Sequence, residues 1–99
     1  MVSKPTEFLK AAAAEYEAAL DWYFDRSPVA AEKFDAEVNR ALENIAENPQ
    51  RWPTHSMGTR RFFLHHFPFA VIYREQPSII QIVAVAHGHR RPGYWKNRL

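Results

Sequence analysis

The sequence has no cysteine among its 99 residues, which excludes disulfides and thiolate metal sites and fits a reducing compartment. No apolar run approaches the roughly 20 residues that are needed to span a bilayer. Residues 1–5 lack the pattern of a signal peptide, and the chain has neither repeats nor low-complexity segments. We therefore expect one domain over residues 1–99, located in the cytoplasm and without membrane contact.

Acidic residues are nearly missing from the second half, where Glu75 is the only one among residues 50–99. The same segment holds eight lysines and arginines and all five histidines, whereas residues 1–49 hold ten acids and five bases. The formal net charge of +2 thus conceals a negative half and a positive half. A polyanionic partner suits the positive half. An acidic solvated helix face followed by a basic sheet gives the same counts, so charge alone leaves both interpretations open.

Apolar residues at helical spacing predict two helices in the first half. One stripe consists of Leu9, Ala13, Tyr16, Leu20 and Tyr23, and the other of Phe34, Val38, Ala41 and Ile45. Ser27 is placed to cap the second helix, and Pro28 stands at its first position, where a missing N–H costs nothing. The short link over residues 25–28 predicts an αα-hairpin that ends at Asn48, before a proline. We expect the neighbouring aromatic residues Trp22 and Phe24 to pack in the core with these stripes.

From Arg60 onward the apolar period shortens toward two, which is typical of strands. Residues 61–64 form one predicted strand, residues 67–73 alternate in a second, and His65 and His66 are expected on a strand with opposite orientations. Residues 79–86 are apolar on both faces and predict the central strand. Residues 3–9 alternate weakly and admit a fourth, edge strand. The predicted fold is α+β: an N-terminal αα-hairpin packed on a small antiparallel sheet of three or four strands.

The predicted central strand runs directly into a basic and aromatic tail, residues 87–98. A buried strand fixes the position of the residues after it, and imidazole, guanidinium and phenol groups hold phosphate and move protons near neutral pH. We place the function here. His87 and His89 could supply two metal ligands, but the nearby chain offers no acid or cysteine to complete a site. We expect no metal and no cofactor.

Several groups of residues, in this order and spacing, resemble the RelE/ParE toxin superfamily, and its plasmid stabilization branch in particular. They are Glu15-Tyr16, Trp22-Tyr23, Arg26-Ser27-Pro28, residues 48–53, Arg60-Arg61, Phe67-Pro68-Phe69, Ile72-Tyr73-Arg74, and His87 with Arg90, Pro92, Tyr94 and Trp95. The resemblance covers nearly all of residues 12–98. It implies the toxin of a type II toxin-antitoxin pair, held inactive by a cognate antitoxin that wraps it and that alone carries the contact with operator DNA.

Two activities divide this superfamily, and the resemblance leaves both open. RelE-like members cleave messenger RNA in the ribosome without a metal, through attack of the 2′-hydroxyl on the adjacent phosphate, helped by a base, an acid and cations. ParE-like members inhibit DNA gyrase and need no catalysis. A third hypothesis is a nontoxic or decayed module of the same fold, used for binding or regulation.

The resemblance and the chemistry of the tail together give the candidate site residues. His87, Arg90 and Tyr94 are the candidate catalytic residues. The candidate residues for contact with RNA or another target are Arg60, Arg61, His89, Arg91, Trp95, Lys96 and Arg98. One departure counts against catalysis unless Arg90 or Arg91 substitutes from the tail, since the position of a transition-state arginine of RelE-like proteins falls at or near Ala70.

Each candidate has a structural alternative. Arg60 and Arg61 alternate faces on a strand, so only one can point toward a substrate groove. Pro92-Gly93 predicts a turn that folds the tail back and buries Trp95 on the sheet, which makes Tyr94 the stronger candidate. His87 in a pure binding protein would be structural, hydrogen-bonded at the strand end to fix the tail.

Overall fold

Two helices pack on one face of a four-stranded sheet in the computed structural model, which describes residues 3–99. Chain order is β1 (Thr6–Phe8), α1 (Lys10–Arg26), α2 (Pro28–Glu47), β2 (Arg60–Phe63), β3 (Phe69–Glu75) and β4 (Ile80–His87). Short 3₁₀ turns cover Ser56–Gly58 and Lys96–Arg98. The predicted α+β class and αα-hairpin are confirmed. Met1 and Val2, part of the segment tested for a signal peptide, lie outside the described residues.

The sheet is mixed, which corrects the prediction of a purely antiparallel one. Its strand order is β1-β4-β3-β2, so β4 is central, as its apolar faces predicted. Strands β2, β3 and β4 are antiparallel neighbours, whereas β1 runs parallel to β4. The Ile80 N–H donates to the Pro5 carbonyl and the Leu9 N–H to the Ile82 carbonyl, both at 2.9 Å. Weak alternation indicated this strand, but its direction depends on pairing with residues more than 70 positions away.

The link between the helices is a single residue, Ser27. Its Oγ accepts a hydrogen bond from the Ala30 N–H at 3.2 Å, and Pro28 is the first residue of α2, so the predicted cap is confirmed. Asp25 and Arg26 belong to α1 and not to the link. The second helix ends at Glu47, one residue before the predicted Asn48, which is its C-cap.

The main core lies between the helices and the sheet. Phe34, Val38 and Ile45 of α2 are fully buried there against Tyr73 and Ile82 of the sheet. Burying one such aliphatic or aromatic side chain is worth roughly 1.5–3 kcal/mol relative to leaving it exposed. The apolar stripes therefore account for the packing of the hairpin on the sheet.

Trp22 and Phe24 do not join this core, which corrects the expectation for them. Tyr23 packs against Phe34 and Phe67, with ring centroids 5.2 and 5.1 Å apart. Its two neighbours are about 100° away on either side of the helix, so Trp22 and Phe24 are more than half exposed.

A smaller core covers the face of the sheet that the helices leave open. The chain turns at Gly93, whose φ of 74° is in the left-handed region that favours glycine. Trp95 then packs on the sheet and is 2% exposed, as the predicted turn required. Its neighbours include Ala70 and Ala84, whose short side chains leave room for the indole.

His65 and His66 lie beyond the end of β2 and not on a strand, contrary to the prediction. The strand stops at Phe63, and the Glu37 carboxylate of α2 accepts hydrogen bonds from the backbone N–H groups of both histidines. The Nδ1 atom of His66 lies 2.8 Å from the same carboxylate. These contacts satisfy backbone donors in the turn after β2, so the two histidines lie in a turn that is hydrogen-bonded to α2.

Within residues 3–99, no helix combines the length and the hydropathy that a membrane crossing requires.

Candidate functional site

The tail is anchored to the first helix by one carboxylate, that of Glu15. Its oxygens accept hydrogen bonds from both terminal nitrogens of Arg98 (2.9 and 2.8 Å), from the Tyr94 hydroxyl (2.6 Å) and from the Val85 N–H (3.0 Å). Burial raises the pKa of Glu15, but the hydrogen bonds from Arg98, Tyr94 and Val85 outweigh it, so this pKa lies below its usual value. Glu15 is therefore an ionised anchor on which helix, strand and tail converge.

A β-bulge explains why a helix residue can reach the backbone of the central strand. Tyr73 of β3 pairs with Ile82, but the adjacent Ile72 pairs with Ala84, so Val83 is an extra residue in β4. The pairing with β1 also ends at Ile82. Beyond that point the Val85 N–H donates to Glu15, and Arg98 donates to the Val83 carbonyl at 3.0 Å. The Glu15–Arg98 ion pair thus completes the edge of β4 that β1 leaves unpaired.

Tyr94 is fixed by a hydrogen bond from its hydroxyl and by guanidinium groups that stack on its ring. Burial and then the hydrogen bond to Glu15 raise its pKa, so the phenol stays protonated. The guanidinium carbon of Arg90 lies 3.9 Å from the ring centroid, and that of Arg98 lies 5.1 Å from it. One Arg90 nitrogen also comes within 3.9 Å of the Glu15 carboxylate, while the side chain stays about half exposed. Arg90 is thereby stacked and partly ordered at the surface.

His87 closes the start of the tail. Its Nδ1 accepts a hydrogen bond from the His89 N–H at 3.0 Å, and its ring packs edge-on against Phe69 at 5.0 Å. The rings of His87 and His89 are 4.9 Å apart. This geometry agrees with a structural histidine that fixes the tail. Among residues 3–99, no three histidine, aspartate, glutamate or cysteine side chains gather as a metal site would require.

The basic cleft is a cavity of about 190 Å³ between the tail and strands β2, β3 and β4. Its polar lining comprises His55, Arg61, His87, Arg90, Arg91 and Tyr94. Burial, and then the positive charges of Arg61 and Lys96, lower the pKa of His55. The structure therefore brings all three candidate catalytic residues together with Arg61 and Arg91. His55 was not predicted to belong to the site. It follows Trp52-Pro53 in a loop, and it lines the cleft only because that loop folds back on the sheet.

Three of the predicted target-contact residues are engaged in structure, although one of them, Trp95, does line the cleft. Arg60 points to the other face, where it donates to the Trp52 carbonyl at 2.6 Å and fastens the loop. Trp95 is buried, and Arg98 is committed to Glu15. His89, Arg91 and Lys96 remain exposed. Only one of the two adjacent arginines, Arg61, faces the cleft, as alternation on a strand predicts.

The apolar groove, a larger cavity of about 440 Å³, lies on the other side of the tail. Its apolar lining is formed by Ala18, Ala19, Trp22, Tyr23, Pro68, Phe69 and Val85. His87, Arg90 and Tyr94 line the groove as well as the basic cleft, so they form a ridge between the two. Sequence reasoning missed the groove because it assigned Trp22 to the core. A half-exposed tryptophan in an apolar groove is typical of a protein-binding surface.

These features define a small α+β protein with a basic and aromatic tail latched over its sheet. A family model described as "ParE toxin of type II toxin-antitoxin system, parDE" matches residues 6–92. The chain belongs to this family, and the resemblance found in its sequence is confirmed.

A solved structure described as "Chromosomal ParDE TA system from P. aeruginosa" has the same fold. It is similar over 86% of this chain and 96% of its own, with a TM-score of 0.74 and 21% sequence identity. No curated protein gives a significant sequence match.

Proposed function

We propose that this chain is a growth-arresting toxin that acts by binding DNA gyrase, and that a cognate antitoxin neutralises it. The family match supports the toxin assignment, and the ParE branch is the one that the resemblance associates with gyrase inhibition. We choose gyrase binding over catalysis because of the Glu15 anchor. The hydrogen bond from the Tyr94 hydroxyl to Glu15 gives Tyr94 a structural role and leaves it unsuited to proton transfer.

A general acid or base works best when its pKa lies near the working pH. The pKa of Tyr94 is raised by burial and by Glu15, and its proton is already donated to a carboxylate at 2.6 Å. His87 likewise spends its Nδ1 on a backbone N–H of the tail. Two of the three candidate catalytic residues therefore hold the tail in place.

Ala70 supports the same choice. It lies on the face of the sheet that Trp95 covers, and it is itself buried. An arginine side chain there would have to displace the indole. The cation that RelE-like proteins use at or near this position thus has no room beside the docked tail, and removal of one such group typically costs a few kcal/mol of transition-state stabilisation.

The exposed charges of the tail suit contact with an acidic protein surface. Arg61, Arg90, Arg91 and Lys96 are exposed, on or beside one cleft. Arginine stacked on an aromatic ring is among the side chains that dominate interface energies. Association through such a surface is expected to weaken as salt is raised.

Messenger RNA cleavage is the second candidate function, and one observation favours it. The basic cleft gathers His87, Arg90 and Tyr94 with Arg61 and Arg91, so imidazole and guanidinium groups converge as phosphoryl chemistry requires. In this mechanism His87→Ala abolishes activity, whereas in gyrase binding it has a smaller effect that reflects the loss of tail order.

Controlled expression in a bacterium separates these candidates. We expect growth arrest with altered plasmid supercoiling and intact messages, measured by gel electrophoresis and by primer extension. Arrest with new 5′ ends on translated messages would establish the nuclease and refute gyrase as target. Harmless expression of a folded chain would refute both and leave the nontoxic or decayed module.

We assign the antitoxin to the apolar groove. Trp22 exposes about half of its surface there, and an apolar face of an antitoxin segment would cover it while reaching the ridge residues Arg90 and Tyr94. Phe24 provides a matched control, since it is exposed on the same helix but does not line the groove. In a complex with the cognate antitoxin, Trp22→Ala should weaken binding at least tenfold by calorimetry, as loss of a hot-spot tryptophan does. Equal effects of Trp22→Ala and Phe24→Ala would place the antitoxin elsewhere.

A further inference from the structure

Glu15 is among the residues that line the apolar groove, but its side chain is only 15% exposed, so it offers little surface to any partner. It nevertheless receives hydrogen bonds from a strand, from the tail tyrosine and from the last arginine. Its effect on binding must therefore pass through the residues that it holds. Of these, Tyr94 leads back to the surface, because Arg90 stacks on its ring.

Arg90 occupies a position that no other arginine or lysine of residues 3–99 shares, since it lines both the apolar groove and the basic cleft. One side of its guanidinium faces the Tyr94 ring, and one nitrogen is 3.9 Å from Glu15. The remaining donors are free to meet an acceptor, and about half of the side chain is exposed. A side chain ordered in this way loses less freedom on binding than an unsupported arginine such as Arg91.

We propose that Glu15 is the positioning residue of the toxin's contact surface: through Tyr94 it presents Arg90, on the ridge, to an acidic side chain of a protein partner. For a protein target a carboxylate is the matching acceptor, because the planar guanidinium can donate two parallel hydrogen bonds to it. The inference rests on the proposed function for its biological meaning, but its geometric part can be tested without a target.

The first test observes Arg90 directly in the isolated protein. In nitrogen-resolved NMR spectra, its side-chain Nε–H resonance should carry a ring-current shift from Tyr94, which Arg91 lacks. Glu15→Gln should move this resonance toward that of Arg91, and Tyr94→Phe, which keeps the ring but loses the anchor, should move it in the same direction. Glu17→Gln is the matched control, because Glu17 is exposed two residues along the same helix. An Arg90 resonance unchanged in Glu15→Gln would overturn the proposal.

The second test measures inhibition of gyrase supercoiling in vitro. Glu15→Gln and Arg90→Gln should each raise the half-inhibitory concentration about tenfold, the effect of losing one interface anchor. The double variant should lose little more than either single one, because both act through one side chain. Fully additive losses would overturn the positioning role.

A control for stability accompanies that assay. Val38→Ala removes buried volume from α2, away from the tail, and should lower the unfolding midpoint without raising the half-inhibitory concentration. Equal loss of inhibition in Val38→Ala and Glu15→Gln would assign a merely structural role to Glu15. If the protein without any substitution does not inhibit gyrase, the proposal that gyrase is the target is refuted. The NMR comparison still decides whether Glu15 positions Arg90.

Discussion

Docking of Trp95 should be a main source of stability for the tail and for the sheet beneath it. The indole is 2% exposed and rests on Ala70, Ile72, Val83 and Ala84. A buried aromatic side chain of this kind removes about 150–250 Å² from water. At about 25 cal/mol per Å², its loss corresponds to roughly 4–6 kcal/mol, in line with the about 3–5 kcal/mol measured for truncation of buried aromatic residues. Since small domains have only about 5–15 kcal/mol in total, Trp95→Ala should leave this one marginal.

Urea unfolding, followed by circular dichroism at 25 °C, measures this effect. Trp22→Ala is the matched control, because Trp22 is half exposed in the apolar groove and should lose less than about 1 kcal/mol. A tail that does not dock in solution would give the opposite pattern, with Trp95→Ala within about 1 kcal/mol of the unchanged protein. That result would also remove the basis for the Glu15 anchor.

Three further predictions concern the anchor, the helix link and the tail face. The folded pKa of Glu15 lies below its usual value. Its stabilising effect is therefore present above that usual value and is lost as pH falls through the folded pKa. Glu15→Gln should make the free energy of unfolding, measured between pH 7 and 3, less dependent on pH. Ser27→Ala should cost about 1 kcal/mol in urea unfolding through loss of the α2 cap, and a cost of zero would contradict the cap seen at Ala30. Ala70→Arg should expose Trp95 without creating messenger RNA cleavage. The exposure should appear as a red shift of the Trp95 fluorescence, which is identified by comparison with Trp95→Phe. New cleavage would contradict the argument that Ala70 speaks against the nuclease.

Local features of the sequence were sufficient for the helices and for the central place of β4 in the sheet. Stripes of apolar residues three and four positions apart, and the Ser27-Pro28 pair, involve neighbours in the chain whose geometry is the same in any fold. Alternation in the second half and the apolar faces of β4 indicated its central place for the same reason. The position of the candidate site after β4 could be inferred directly, as could the burial of Trp95 behind the Pro92-Gly93 turn.

Other properties depended on contacts between distant residues, and sequence patterns do not report those. The parallel direction of β1, the exposure of Trp22 and the outward turn of Arg60 each depend on where other elements pack. Above all, Glu15 belongs to the family resemblance in the sequence, but its role as an anchor is not visible there, because its partner Arg98 is 83 positions away. Only the tertiary structure, through the bulge at Val83 and the early end of β1, brings the two together, since an ion pair at an unpaired strand edge requires three separate elements to meet.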